Sequence, residues 1–231
     1  MAVTAASRWK ILVAASPVLI GTPLLALTTS LDSFSTAGLL CYEVAVRVLL
    51  PVFCLAVIVR RCGVTFRDLG FPARPFGNLK RSVFLGFAVL WSLACLSYFL
   101  FDAAVLYAFD ASPDEEQDPM SFVGAPPLAA IAYYLLTAPF LEEVFYRGVL
   151  GAALISGRAS SRVLFVVISA VLFGWAHATV GGMPAFISTA YFGALMAFLY
   201  LVIPNIWLVV IAHFATDAVA LVSSHLQFGT I

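Results

Sequence analysis

Pro139-Phe140-Leu141-Glu142-Glu143-Val144-Phe145-Tyr146-Arg147-Gly148 sets two adjacent carboxylates and a guanidinium inside a sequence otherwise suited to lipid. A charged side chain at bilayer depth costs roughly 2.5–3.5 kcal/mol on insertion scales, so three of them within two helical turns require partners, water or a task. On a helix Glu143 and Arg147 stand four apart with the acid N-terminal, the better order for an ion pair. Glu142 is left without an evident partner, and it is the residue to explain.

The surroundings of this stretch make it anomalous. Of 231 residues 63% are hydrophobic and 10% charged, and the mean hydropathy is +1.05, which exceeds what the core of a soluble domain requires. The chain reads as an all-α polytopic membrane bundle, a single integral membrane domain over 1–231. The apolar runs place seven spans, or eight if one hides a second: 11–29, 38–59, 82–101, 127–150, 163–180, 185–203 and 206–224. The first follows Arg8 and Lys10 in the order of a secretory signal, but it is long for one and no A-x-A site follows, so a retained span is favoured.

Net charge is zero, from 12 basic and 12 acidic residues that are segregated along the chain. Arg60, Arg61, Arg67, Arg74, Lys80 and Arg81 crowd one loop against Asp68 alone, which makes that loop cytoplasmic. Asp110, Asp114, Glu115, Glu116 and Asp118 fill the next loop without a Lys or Arg, which places it outside and the N-terminus in the cytoplasm. Segregation of this kind sets topology and gives no nucleic-acid surface. Cys41, Cys54, Cys62 and Cys95 show neither CxxC nor metal-ligand spacing and read as apolar packing residues. Pro139 is expected to kink the fourth span, because it lacks a backbone donor.

The last four spans also hold His177, His213 and Asp217. At about 1.5 Å rise per residue in a core of about 30 Å, these three and Glu142 fall within roughly 8 Å of the midplane. Polar side chains from three helices at one level suggest a shared cavity. Each has a plainer reading: Glu143 with Arg147 as an ion pair fixing helices, His177 as a packing histidine, His213 with Asp217 as a local pair. Glu43 and Arg47, again four apart, read as structural. A carboxylate held away from bulk water is a more competent base than an exposed one, so Glu142 can activate water with help from His177. His213 can then donate to a developing oxyanion, with Asp217 orienting it. No Ser or Cys nucleophile motif and no HExxH helix is present, so nucleophilic and zincin readings lose weight.

EEVFYR at 142–147, FGWAH at 173–177 and HFATD at 213–217 resemble the three ordered motifs EExxxR, FxxxH and HxxxN/D of the CAAX-protease and bacteriocin-processing (Abi) family. The resemblance covers 127–224 as a protease core. It implies a glutamic intramembrane endopeptidase, working without metal or cofactor, in which Glu142 and His177 activate water, His213 and Asp217 support the oxyanion, and Glu143 and Arg147 buttress the site. Asp217 stands where Asn is usual, and an ionised Asp cannot donate a hydrogen bond, so orientation of His213 is its expected role.

Implied substrates are membrane-anchored peptides or protein tails: prenylated C-termini, bacteriocin leaders or C-terminal sorting segments. The compact chain points to a prokaryotic cell membrane, which favours a membrane-anchored peptide over a prenylated tail as substrate. Other classes stay open at this point: a non-catalytic immunity or scaffold protein pinned by the same polar cluster, or a proton-coupled transporter using it as a relay. Oligomeric state is not encoded legibly.

Overall fold

The structure, a computed structural model, describes residues 4–28, 38, 41–42, 44–76, 80–110 and 137–228. Among the described residues every regular element is helical. Four helices among the described residues are long and apolar enough to cross a membrane, and a shorter apolar one, Ile206–Ala220, joins them, so the chain is a polytopic helical membrane protein. The expected second span is described at 38, at 41–42 and from 44, and the fourth from 137. Glu43 and the acidic residues at 114–118 lie outside the described residues, as does the His225 side chain.

Helix α1 begins at Ala5–Ser16, where the Thr4 hydroxyl caps the Ser7 amide at 3.2 Å. It passes through a wide π-helical turn at Pro17–Gly21 and continues as Thr22–Thr28. Pro17 has no N–H for the carbonyl of Val13, and the Ser16 hydroxyl donates to that oxygen instead at 2.8 Å. Helix α2 likewise joins a π turn at Val44–Leu49 to Leu50–Arg61, with Pro51 at the junction. Helix α3 is Arg81–Ala108. Helix α4 is described from 137, with a π turn at Val144–Val149 and a last stretch Leu150–Leu154. Helices α5 (Ala159–Thr179) and α6 (Gly181–Val202) meet at Gly181 and Gly182, whose backbones leave helical geometry, Gly182 at φ +64°. Helix α7 is Ile206–Phe228.

The sequence places an irregularity at Pro139, whereas the observed departure from α-helical winding is the π turn that opens next to Glu143. The residues that a kink at Pro139 would redirect lie before 137, outside the described set. Every residue from Glu143 to Ala153 is buried, so α4 is the central rod of the bundle. Ile11 and Ala15 of α1, Ile58 of α2, Phe165 and Phe173 of α5, Met196 and Leu199 of α6, and Leu208 and Val209 of α7 pack in the same core. The outward side of α3, with Leu93, Leu96 and Leu100 exposed, is apolar as a lipid-facing surface must be.

The basic connection after α2 is a packed strap. Thr65 and Asp68 cap one another through Asp68 Oδ2, which accepts from the Thr65 amide at 2.8 Å and its hydroxyl at 2.6 Å. That hydroxyl holds the Asp68 carboxyl below its ordinary range. Leu69 is buried, the Ile206 amide donates to the Gly70 carbonyl at 2.9 Å, and Asn205 Nδ2 donates to the Pro75 carbonyl at 2.8 Å. Gly148 is required here, because a Cβ on it would lie 2.8 Å from the Leu69 carbonyl oxygen.

Cys54, Cys62 and Cys95 are buried free thiols, as packing cysteines should be, whereas Cys41, expected to pack likewise, is exposed.

Candidate active site

Helix α4 carries Glu142, Glu143 and Arg147 on adjoining faces, and the pairing read from the sequence is present: Arg147 Nη1 lies 2.9 Å from Glu143 Oε1, both side chains being inaccessible to solvent. The contact lies off the hydrogen-bond direction. The guanidinium gains two further partners. Nη2 donates to the Gly193 carbonyl of α6 at 3.2 Å, and the planar group lies over the Phe173 ring of α5, 4.8 Å from its centre. Arg147 thus ties three helices, and no partner beyond Glu143 was legible in the sequence.

The same Glu143 oxygen accepts from His213 Nδ1 of α7 at 2.7 Å. Sequence reasoning expects Asp217 to orient His213; here the short contact comes from Glu143. Asp217 Oδ2 is 3.6 Å and Glu142 Oε2 3.8 Å from the other ring nitrogen, Nε2. Three carboxylates and one imidazole therefore converge, with Glu143 behind the ring and Glu142 and Asp217 in front of it. The two in front are the accessible ones, 24% and 39% exposed, against 5% for His213.

His177 reaches the site from the end of α5. Its Nδ1 lies 2.9 Å from the Phe173 carbonyl, which can only accept, so Nδ1 carries a proton and directs it there. In the neutral ring that leaves Nε2 with a lone pair. His177 also stacks on the Phe173 ring, whose edge meets His213, so one phenyl group sets the places of both imidazoles. Phe192 of α6 closes on His213 from another side, with centroids 4.8 Å apart.

Several supports escaped the sequence reading. The Ser169 hydroxyl donates to the Tyr146 carbonyl at 2.9 Å, filling a backbone acceptor inside the π turn of α4. Trp91 of α3 donates to the Ala212 carbonyl at 3.0 Å and lies 3.1 Å from the Thr216 hydroxyl, clamping α7 on either side of His213. Gly174, inside the second motif, lets α5 and α6 touch: a Cβ on it would stand 2.6 Å from the Phe186 carbonyl oxygen. Among the described residues no three His, Cys, Asp or Glu side chains are arranged as ligands of one ion.

This constellation sits within a stretch that a known family accounts for. Residues 124–219 match the family described as type II CAAX prenyl endopeptidase Rce1-like. All three motifs read from the sequence fall inside that stretch, so the likeness to a CAAX endopeptidase family is shown there; the stretch is less than half of the chain and is similar to a family of membrane proteases. No curated protein and no solved structure matches the chain. The Rce1-like stretch contains all of α4 to α6 that is described and the part of α7 that bears His213 and Asp217.

Proposed function

We propose that the chain is an intramembrane endopeptidase that hydrolyses a peptide bond of a membrane-anchored peptide or protein tail with water activated by Glu142. The observation that carries this reading is the division of labour among the carboxylates: Glu143 is buried and committed to Arg147 and His213, whereas Glu142 faces accessible space beside His213 Nε2. Glu142 takes a proton from water, whose oxygen bonds to the scissile carbonyl carbon. His177 Nε2 accepts the water's second hydrogen and fixes its direction. The carbonyl oxygen becomes an oxyanion, which His213 Nε2–H meets while Glu143 holds Nδ1. Glu142 then gives its proton to the amide nitrogen, the C–N bond breaks, and an acid and an amine leave. The family's printed name points to prenylated tails as one substrate class.

Glu142→Gln keeps shape and loses the base. In proteoliposomes with a membrane-anchored peptide that the wild type cleaves, kcat should fall roughly 10²–10⁴-fold, the scale of a lost general base. Wild-type turnover in that variant would end the proposal.

A further inference from the structure

We infer that the furrow between α1 and α2 is a binding site for one anionic phospholipid, whose headgroup phosphate sits between Lys10 and Arg61. The inference is independent of the peptidase reading, because no residue of the candidate active site takes part in it. The furrow holds about 440 Å³. Lys10, in the second turn of α1, and Arg61, the last residue of α2, stand at its head. Its apolar part is Val13 and Ala14, three and four residues on from Lys10, and Val57, four residues back from Arg61. Because α1 starts where α2 ends, both steps run the same way along the bundle. At about 1.5 Å rise per residue they carry the apolar lining about 6 Å deeper than the two cations.

That order, charge above and hydrocarbon below, is the order of a phospholipid. Lys10 and Arg61 are both exposed, among the described residues neither forms an ion pair, and no carboxylate lines the furrow. One phosphate between them offsets the mutual repulsion of the two cations, as in basic pockets between membrane helices that take lipid headgroups. Trp9, exposed beside Lys10, has the amphipathic ring that belongs at headgroup level. A soluble anion would leave Val13, Ala14 and Val57 unused, whereas an acyl chain that follows the phosphate downward lies against them. A zwitterionic headgroup brings its own cation and leaves one of the two side chains uncompensated. The furrow is preformed, because Ile11 and Ala15 of α1 and Cys54 and Ile58 of α2 are fixed in the core behind it. A seated lipid therefore bridges α1 and α2 on their outer side and stabilises the bundle by mass action.

Protein in micelles given equal amounts of phosphatidylglycerol and phosphatidylcholine should retain one phosphatidylglycerol in native mass spectrometry. Its melting temperature should rise with phosphatidylglycerol alone. Each cation beside an anionic headgroup is worth roughly fivefold in affinity, so Lys10→Gln with Arg61→Gln should weaken retention roughly 30-fold. Lys10→Gln by itself should lose roughly fivefold, a readout that does not depend on the double variant folding. Arg67→Gln with Arg74→Gln removes the same charge from the strap, outside the furrow, and should leave retention unchanged. Equal loss in the two double variants would reduce the effect to net charge, and retention of both lipids alike would reduce it to a general lipid coat; either result overturns the inference. Inorganic phosphate that raises the melting temperature as far as the lipid does would make the ligand a free anion and overturn it too.

Discussion

Replacing Arg147 and Glu143 one at a time and together separates what holds the bundle from what serves the chemistry. Arg147→Met leaves the Glu143 carboxylate inside α4 with His213 alone, and it removes the bond to Gly193 and the contact with Phe173. Both charges are wholly buried, and Glu143 Oε2 and Arg147 Nε already have no protein partner among the described residues. Removing either partner of such a pair costs about 3–5 kcal/mol, since the remaining charge has lost water as well as its counterion. Replacing both with methionine removes both desolvated charges and refills most of the volume, so the double variant should be more stable than either single one, with a coupling of about 3 kcal/mol or more. Activity should not follow stability. His213 Nδ1 has lost the oxygen it holds at 2.7 Å, and the double variant should cleave roughly 10²-fold more slowly or worse, the scale of a lost oxyanion group. Unfolding in micelles followed by tryptophan fluorescence gives the first quantity and cleavage in proteoliposomes the second. Additive destabilisation would refute the coupled pair, and a fully active Met/Met variant would refute the positioning of His213 by Glu143.

Gly174→Ala drives a Cβ to 2.6 Å from the Phe186 carbonyl oxygen and 2.8 Å from the Ala190 Cβ, so α5 and α6 must part three residues from His177. It should cost about 1–3 kcal/mol and lower cleavage, whereas Gly157→Ala, with open space around it, should change neither; equal melting of the two variants would contradict the close contact. Asp217→Asn should keep most of the activity, because Glu143 already sets the His213 ring, while Asp217→Ala should fall roughly 10²-fold. Measured rates that are alike for Asn and Ala would mean that the polar group at 217 is not used.

The sequence alone determined the class of the molecule and the identity of its polar cluster. Hydropathy separates lipid-facing helices from soluble ones because a bilayer leaves backbone groups no other partner, and ionisable residues stand out there because they are costly. The Glu143–Arg147 pair was legible for a local reason: residues four apart on a helix face each other. Partners set by helix packing were not legible. That Glu143 and not Asp217 makes the short bond to His213 depends on how α7 packs against α4, and α7 is held there by Trp91 and Phe192, neither of which has a spacing signature. The strap shows the same division. Its basic charge was legible, but its packing depends on Leu69, Gly70 and Pro75 meeting Gly148, Ile206 and Asn205 across 79 to 136 residues of chain, and contacts of that range exist only in the folded bundle.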